Sequence, residues 1–349
     1  MLKASYKKHV LQFIQPAGTS RGVLKTKDTY FILVEGEGAH GVGECGLLRG
    51  LSVDDRPDYE SKLAWTCQNI HLGLEALYPQ LVAFPSIQMG LETAFLSLNA
   101  SDPFQLFPSE FSEGSAGIPI NGLVWMGDKE FMNRQISEKI KAGFSCLKMK
   151  IGAIDFETEL SLLQSIRNEF SPSDIQLRVD ANGAFQAHEA MDKLNRLSDF
   201  HLHSIEQPIA KGQWDEMARL CEETPIPIAL DEELIGIFDS EEKASLLDQV
   251  NPHYIILKPS FIGGFQGCDA WIALAEERGI EWWVTSALES NVGLNAISQY
   301  TFTKNSKLPQ GLGTGSLYTN NIVSPLTVRN GSIHYATNMP WNTEIIFKK

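Results

Sequence analysis

The stretch CLKMKIGAIDFETELSLLQSIRNEFSPSDIQLRVDAN (146–182) contains two short apolar runs separated by a helix-like segment. The runs, 146–152 and 175–182, read as buried strands, and 155–170 carries apolar residues at helical spacing. A strand, a helix and a second strand in this order form the unit of a parallel sheet, because parallel neighbours require a crossover connection. The stretch therefore predicts an α/β fold.

The same pattern extends in both directions along the chain. Six further apolar runs are IPINGLVW (118–125), LHSIEQPI (202–209), IPIALDEE (226–233), YIILKPS (254–260), WWVTSALES (282–290) and LPQGLGTGS (308–316). Helix-like segments separate most of them, for example 128–142, 186–197 and 265–278. Eight such units predict a closed (β/α) barrel of the TIM type. An open doubly wound sheet is the alternative, but no G-x-G-x-x-G follows the first run.

The first part of the chain has a different pattern of apolar residues, which predicts an α+β capping domain. Three strand-like runs, YKKHVLQFI (6–14), DTYFILVEGE (28–37) and HGVGECG (40–46), suggest an antiparallel meander, and helix-like segments follow at 57–79 and 86–100. The segment 101–117 is rich in Ser, Pro and Gly and indicates a boundary. We therefore assign 1–115 to the capping domain and 116–320 to the barrel, and we expect 320–349 to complete the capping domain.

Composition narrows the class of function. The 349 residues carry a net charge of −14, which argues against a nucleic-acid partner. No run of about 18 apolar residues predicts a membrane span. The five cysteines are scattered and form no C-x-x-C pair, which disfavours disulfides and structural zinc and favours a cytoplasmic location. A small-molecule substrate is the expected partner, and the sequence does not indicate an oligomeric state.

Charged residues recur at the carboxyl ends of five consecutive predicted strands. They are Lys148 and Lys150, Asp180, Glu206, Asp231 and Lys258. Each step is about one strand–helix unit, so all of these side chains are expected at the same end of the barrel. That end is where barrel enzymes build their active sites. The lysines are therefore expected to face the three carboxylates across the barrel mouth.

Three carboxylates brought together would repel one another unless a cation lay between them. Oxygen-only ligands favour Mg²⁺, with Mn²⁺ possible, so Asp180, Glu206 and Asp231 are candidate metal ligands. A network of structural salt bridges with the lysines is the alternative. Residues adjacent to the ligands could orient them, or could be ordinary loop and barrel residues. These residues are Arg178, Asn182, Gln207 and Glu232.

The ordered set KMK, RVDAN, IEQP, ALDE and LKPS, behind a capping domain, resembles the enolase superfamily and in particular its muconate-lactonizing subgroup. The resemblance covers essentially the whole chain. Within the subgroup, TSALESNVGL (285–294) and QPAGTSRGVL (15–24) are similar to the corresponding segments of o-succinylbenzoate synthases. The eighth run, GLGTGS (311–316), lacks the carboxylate that a dipeptide epimerase would use to hold a substrate amine.

The resemblance implies a reaction that begins with removal of a proton α to a carboxylate. Lys150 would be the base, its pKa lowered by the metal and by Lys148, and Mg²⁺ would stabilise the enediolate. Lys258 would face Lys150 across the site as the second catalytic lysine. The implied activity is dehydration of 2-succinyl-6-hydroxy-2,4-cyclohexadiene-1-carboxylate to 2-succinylbenzoate in menaquinone biosynthesis. The residues expected to contact this substrate are Lys148, Arg21 in a flexible loop at 17–25, Thr285, Ser286, Glu289 and Gly313.

Other functions remain open at this stage. An N-acylamino acid racemase or a dipeptide epimerase of the same subgroup would carry the same lysines and metal ligands. A Schiff-base aldolase would not need the three carboxylates. A non-catalytic barrel that binds a ligand would be expected to have lost at least one of the charged groups, and none is missing from the sequence.

Overall fold

The N-terminal part begins with a three-stranded antiparallel sheet. The computed structural model describes residues 2–19, 22–36, 38–125 and 127–347. Strands β1 (Lys3–Thr19), β2 (Gly22–Gly36) and β3 (Ala39–Cys45) pair in that order. The pairing of β1 with β2 continues to Thr19 and Gly22, past a register shift between Gln12 and Ala17. The prediction of a loop over 17–25 is therefore wrong for its described residues, because these residues extend a β-hairpin.

Strand β2 contributes apolar side chains to both faces of this sheet. Tyr30 and Ile32 pack on one face with helical residues, whereas Phe31 packs on the other with Val292 and Ile346. Since alternate strand residues point to opposite faces, two covered faces explain the unbroken apolar run of β2. The helices here are α1 (Tyr59–Gln68), α2 (Leu74–Leu77) and α3 (Pro85–Asn99), close to the predicted helical segments.

The rest of the chain forms a curled parallel sheet whose strands are connected mainly by helices. After β4 (Gly117–Pro119), the described residues give seven strands hydrogen-bonded in chain order: β5 (Gly122–Val124), β6 (Cys146–Lys150), β7 (Gln176–Asp180), β8 (Ser204–Glu206), β9 (Ile228–Leu230), β10 (Tyr254–Leu257) and β11 (Glu281–Val284). The helices are α4 (Lys129–Lys141), α5 (Phe156–Glu169), α6 (Ala187–Ser198), α7 (Trp214–Glu223), α8 (Ser240–Val250), α9 (Pro259–Ile262), α10 (Gly264–Glu276) and α11 (Asn291–Thr303). This alternation confirms the predicted capping domain plus barrel as the fold class.

The two edges of the curled sheet are joined by Gln310 and Gly311. The N–H of Asn121, just before β5, donates to the Gln310 carbonyl at 2.9 Å, and the N–H of Gly311 donates to the Val284 carbonyl at 2.8 Å. Isolated parallel bridges link the same segments. The predicted eighth strand is therefore reduced to a two-residue bridge. Its segment carries a glycine at every second position from Gly311, and glycine weakens a strand because it has no side chain to pack.

The C-terminal segment returns to both parts of the molecule. Strands β12 (Leu326–Arg329) and β13 (Ser332–Tyr335) form a hairpin, and β13 pairs with β4. The ring of Trp341 then stacks on Phe104 with 4.1 Å between centroids. The last helix, α12 (Glu344–Phe347), places Ile346 against the N-terminal sheet. The chain after residue 320 therefore contacts the start of the barrel and the N-terminal sheet.

Two further features of the described residues bear on the expected class of protein. No helix in this part of the chain is long and apolar enough to cross a membrane. Each of the five cysteines is buried and free of a disulfide bond.

Glu92 connects α3 to the barrel, and its buried carboxyl group should make the free energy of unfolding depend on pH. Its buried carboxylate accepts a hydrogen bond from the N–H of Phe265 at 2.6 Å. Burial raises the pKa of Glu92 to about 7, although the N–H donor of Phe265 partly opposes this shift. The unfolded chain gives up this proton near pH 4.5, before the folded chain does, so the free energy of unfolding should fall as the pH rises through about 4.5 to 7.

We therefore expect Glu92→Gln to remove part of the pH dependence of stability. Between pH 5 and pH 8, the wild type should lose on the order of 1–3 kcal/mol more free energy of unfolding than the variant. Urea unfolding of both proteins at both pH values measures this difference. Equal pH dependence in the two proteins would contradict the assignment to Glu92.

Candidate active site

The charged residues predicted at the strand ends do meet at one end of the barrel. Lys150, Asp180 and Glu206 are direct neighbours across β6, β7 and β8. Nζ of Lys150 lies 2.7 Å from Oδ2 of Asp180, and Nζ of Lys148 lies 2.6 Å from Oε2 of Glu206 and 3.3 Å from Oδ2 of Asp180. On the next two strands, Nζ of Lys258 donates to Oδ2 of Asp231. Each of the three carboxylates thus faces a lysine ammonium group.

The electrostatics of these pairs fix the charge state of two lysines. Burial of Lys148 disfavours its charged form, but Glu206 and Asp180 outweigh that effect and raise its pKa above the ordinary value. Burial also acts to lower the pKa of Lys258, but Asp231 and Glu206 outweigh this effect and raise the pKa above its ordinary value. Lys148 and Lys258 are therefore both held as ammonium ions near neutral pH.

Burial acts to raise the pKa of both Asp180 and Glu206, but the net shifts of the two carboxyl groups are opposite. Burial opposes ionisation of Asp180, but Lys150 and Lys148 hold its pKa below the ordinary value. For Glu206, burial and then the neighbouring Asp180 charge raise the pKa well above the ordinary value. Burial, with the Asp180 charge beside it, therefore disfavours the ionised form of Glu206 despite the nearby lysines, and a bound divalent cation would favour that form.

Side chains predicted to support the ligands make several direct contacts. Oδ1 of Asn182 accepts a hydrogen bond from Nζ of Lys150 at 2.6 Å, and its Nδ2 donates to Oε1 of Glu232 at 3.0 Å. Oε1 of Gln207 accepts from the backbone N–H of Asp231 at 3.3 Å. Asn182 and Gln207 both have positive φ, 46° and 40°. Such strained backbone at a non-glycine residue is concentrated at functional sites.

Arg178 does not take the supporting position predicted for it. Its Nη1 donates to the Pro309 carbonyl at 2.8 Å, and its guanidinium lies 4.1 Å from the ring centroid of Trp283. Among the described residues its Nε and Nη2 have no hydrogen-bond partner. Arg178 precedes Asp180 by two, so the side chain points into the barrel one layer below the ligands. It therefore contacts a barrel tryptophan and not a carboxylate ligand.

A cavity opens above these groups and includes residues from both parts of the chain. It holds about 740 Å³ of unfilled space, counting the part that is open to solvent. Lys148, Lys150, Asp180, Asn182 and Lys258 line it from the barrel. Leu24, Leu48 and Leu51 line it from the N-terminal part, together with Leu123, Trp125 and Phe261 from the barrel. The cavity therefore combines a charged floor with an apolar wall.

The predicted substrate-contacting residues occupy different positions. Thr285, Ser286 and Gly313 line the cavity. The hydroxyl of Thr285 is buried and, among the described residues, lacks a hydrogen-bond partner. Glu289 is fully buried outside this wall, where it accepts hydrogen bonds from two serines. Arg21 lies outside the described residues.

Several wall residues carried no signal in the sequence. Asn121 lines the cavity with a buried Oδ1 that has no partner among the described residues, and it directly precedes β5. Leu48 and Leu51 lie in the irregular segment after β3. The local sequence does not distinguish an apolar loop residue that lines the cavity from one that does not, so the positions of these two leucines in the wall could not be predicted. Asn121 could have been suspected because it lies in the first barrel run.

The three carboxylates also fit a metal by their chemistry. Oε1 of Glu206 is buried and has no hydrogen-bond partner in the described part of the chain. The described residues contain no cluster of three His, Cys, Asp or Glu side chains arranged around a metal position, and each of the three carboxylates contacts a lysine. An orphaned carboxylate oxygen in an oxygen-only donor set matches the preference of Mg²⁺.

Comparison with known proteins agrees with this geometry. Residues 132–339 match the family described as "Enolase C-terminal domain-like". The chain is 45% identical to an o-succinylbenzoate synthase from Desulfotalea psychrophila over an alignment of 361 positions, which covers 95% of this chain and 98% of that protein. The crystal structure of MenC from Desulfotalea psychrophila matches with a TM-score of 0.85 and 41% identity, over 95% of this chain and 99% of the other. An L-Ala-D/L-Glu epimerase from Bacillus subtilis is 28% identical over 52% of this chain and 49% of its own length.

Proposed function

Because the chain belongs to the enolase superfamily and its muconate-lactonizing subgroup, we propose that it is an o-succinylbenzoate synthase. The observation that carries this proposal is the 45% identity to such a synthase over nearly the full length of both proteins. The reaction is dehydration of 2-succinyl-6-hydroxy-2,4-cyclohexadiene-1-carboxylate to 2-succinylbenzoate. The enzyme is thus a carbon–oxygen lyase that acts in menaquinone biosynthesis.

We propose that Lys150 removes the proton from the ring carbon that bears the carboxylate. Asp180 and Asn182 hold its Nζ from two directions at 2.7 and 2.6 Å, so the amine has a fixed position at the cavity floor. The electron pair of the broken C–H bond is delocalised into the adjoining carboxylate, from which it returns to form the new C=C bond of the ring. The C–O bond on the adjacent ring carbon then breaks, and protonated Lys150 donates its proton to the leaving hydroxide. Water leaves, the ring becomes aromatic and Lys150 is again neutral.

Lys258 and Lys148 stabilise negative charge during this sequence. Both are buried ammonium groups that line the cavity, and both remain charged because their pKa values are raised by carboxylates, against the effect of burial. A fixed positive charge in a site shielded from water stabilises developing negative charge more strongly than it does in bulk water. Lys258 therefore serves as an electrostatic partner to the intermediate, while Lys148 helps to bind the carboxylate.

Mg²⁺ is the cofactor that we propose for this site, held by Asp180, Glu206 and Asp231. When bound, it supplies Lewis-acid stabilisation of the substrate carboxylate. Asn182, Glu232 and Gln207 would orient the ligands through the contacts described above. The orphaned Oε1 of Glu206 is the feature of this chain that supports the assignment.

We also propose that residues 1–115, completed by 320–349, act as the capping domain and select the substrate. Leu24, Leu48 and Leu51 form part of the cavity wall, so this domain shields the site from water. Thr285, with its unpartnered hydroxyl, and Gly313 are the barrel residues best placed to meet the succinyl arm. A cytoplasmic location is consistent with five cysteines that are free of disulfides.

An N-acylamino acid racemase is the second candidate because it would need the same lysines on opposite sides of the substrate. The identity to a synthase over almost the whole chain, against 28% over half of the chain for an epimerase, favours dehydration. The wall near Gly311, Gly313 and Thr314 also offers no carboxylate for a substrate amine. A Schiff-base aldolase or a non-catalytic barrel leaves the three carboxylates unexplained.

A direct assay separates these functions. Purified protein with Mg²⁺ should convert the cyclohexadiene carboxylate to 2-succinylbenzoate, measured by chromatography. In parallel incubations, N-succinyl amino acids should racemise far more slowly, measured by chiral analysis. The exposed-lysine variant Lys307→Ala is the control and should match the wild type. Racemisation without dehydration would move the assignment to the racemase, and inactivity in both assays would reject both of these functions.

A further inference from the structure

A buried polar cluster joins the N-terminal sheet to the loops that follow β10 and β11. We call it the Glu289 cluster. Its members are Lys27, Glu44, Ser260, Ser286, Glu289 and Ser290, and each is at most 6% exposed. Two of them, Lys27 and Glu44, come from the N-terminal sheet, and the other four come from the barrel. The proposed mechanism uses none of the three charged members.

Glu289 accepts hydrogen bonds from two hydroxyl groups on segments that reach the active site. Its Oε1 accepts from Ser260 Oγ at 2.5 Å, and its Oε2 accepts from Ser286 Oγ at 2.6 Å. Ser260 follows Lys258 by two residues, in the short helix α9. Ser286 lines the cavity next to Thr285. One carboxylate therefore links the turn that carries the second lysine to the wall that faces the substrate.

The Ser286 hydroxyl has no hydrogen-bonding capacity left for a substrate. It donates to Glu289 and accepts from the N–H of Leu288 at 3.1 Å and from Thr314 Oγ1 at 2.9 Å. A hydroxyl has one donor and two acceptor positions, so all three are used. Ser286 therefore shapes the wall and does not act as a free donor to a carboxylate. This differs from the sequence prediction that Ser286 contacts the substrate directly.

Lys27 is the basic member of this cluster and lies on the same face of β2 as Thr29, whose hydroxyl donates to Glu44. Its Nζ is buried and makes no hydrogen bond among the described residues. Burial lowers the pKa of Lys27, while the charges of Glu44 and Glu289 act to raise it. Burial of a lysine amino group without hydrogen bonds is costly, and Glu44 and Glu289 are the nearby carboxyl groups that would offset its charge.

Glu44 extends the same contact to the start of α11. Its carboxylate accepts from Ser290 N at 2.7 Å, Ser290 Oγ at 2.5 Å and Gly293 N at 2.8 Å. It also accepts from Thr29 Oγ1 at 2.6 Å. Space at the contact is tight, because a Cβ at Gly46 would lie 2.5 Å from Ser260 Oγ. The N-terminal sheet therefore docks on the barrel through fully buried polar contacts in one defined position.

We propose that Glu289 is a positioning residue for the dehydration and that Lys27 is its buried counter-charge, so that docking of the N-terminal sheet sets the geometry of the Lys258 turn and the Thr285–Ser286 wall. The inference rests on the proposed function for its catalytic readout. It assigns a role to Glu289 other than direct substrate contact. Lys27 and Glu289 come from different parts of the chain. The cluster therefore links docking of the N-terminal sheet over the cavity to the positions of the active-site residues.

The first test is Glu289→Gln, with Glu92→Gln as the matched control. Both replace a buried carboxylate at a contact between the N-terminal part and the barrel, but Glu92 lies away from the cavity wall. Glu289→Gln should lower kcat/KM about 10- to 100-fold, as expected when reacting groups are slightly misplaced. The control should stay within about twofold. A Glu289→Gln enzyme with unchanged kcat and KM would overturn the proposal.

A double variant tests the pairing of Lys27 with Glu289. Lys27→Met leaves two buried carboxylates without their counter-charge and should lower kcat/KM more than Glu289→Gln does. Adding Glu289→Gln to Lys27→Met removes one of these charges and should restore kcat/KM at least fivefold. Such recovery reports a direct coupling between the two residues, which unrelated structural damage would not produce. Effects that simply multiply would overturn the counter-charge role.

Amide hydrogen exchange provides a readout that does not depend on the substrate. In Glu289→Gln, peptides covering 258–262 and 286–290 should exchange faster, whereas α4 should be unchanged. Glu92→Gln should leave both peptides protected. If the wild type fails to dehydrate the cyclohexadiene but these peptides loosen, the proposed function fails and the positioning role stands. If the peptides stay protected in Glu289→Gln, the positioning role is wrong whatever the activity.

Discussion

Lys150→Ala should abolish dehydration, with a loss in kcat of at least about 10³-fold. General acid–base catalysis contributes about 10²–10⁴-fold, and this lysine is proposed to act both as base and as acid. Exchange of the substrate α-proton with solvent deuterium should vanish as well, because Lys150 is the group that removes it. Product chromatography measures the first effect, and NMR of the substrate in deuterated buffer measures the second.

The control for this experiment is the exposed-lysine variant Lys307→Ala, with circular dichroism to show that each variant is folded. Nζ of Lys148 lies 3.3 Å from Oδ2 of Asp180, so the aspartate should keep a cationic neighbour when Lys150 is replaced. Retention of α-proton exchange in folded Lys150→Ala would assign the base to another residue.

Arginine substitutions separate the roles of the two catalytic lysines. Lys258→Arg keeps the positive charge next to Asp231 but does not transfer protons at neutral pH. If Lys258 acts through its charge, this variant should keep measurably more dehydration than Lys150→Arg. A racemase needs an acid or base on each side of the α-carbon, so equal and complete loss in both variants would favour the racemase.

Removal of divalent metal should also abolish turnover. Incubation with a chelator followed by desalting should reduce dehydration to background, and added Mg²⁺ should restore it because the substrate carboxylate would again be stabilised. The same assay with Mn²⁺ in place of Mg²⁺ measures whether Mn²⁺ also restores dehydration. Full activity in excess chelator would reject the metal assignment.

Asp231→Asn tests the ligand set without relying on activity alone. Replacing a charged ligand with a neutral amide should weaken Mg²⁺ binding, measured by isothermal titration calorimetry, by at least tenfold in Kd. Asp248→Asn is the matched control, because Asp248 is exposed and pairs with Arg278 on the barrel exterior. Unchanged Mg²⁺ binding in folded Asp231→Asn would remove Asp231 from the ligand set.

The sequence by itself determined the barrel and the charged floor of its site. Apolar runs separated by helical segments specify strands and crossovers locally, and consecutive parallel strands place their carboxyl ends together. Lys150, Asp180 and Glu206 could therefore be predicted as neighbours, and the register of β6, β7 and β8 places them side by side. Support by Asn182 and Gln207 followed from their proximity in the chain to the ligands.

Only the tertiary structure decided which distant segments complete the site. Leu24, Leu48 and Leu51 enter the cavity wall because the N-terminal sheet docks over the barrel, and no local pattern encodes that docking. Glu289 was expected to face the substrate, but Ser260 and Ser286 hold it inside the contact between the two parts. Arg178 points into the barrel as its strand register predicts, but it contacts Pro309 and Trp283. Its partners depend on which residues fill the barrel below the carboxylates, and strand register does not specify those residues. The physical reason is separation along the chain. Strand periodicity is set by residues a few positions apart, whereas side-chain partners come from segments that are far apart in the sequence.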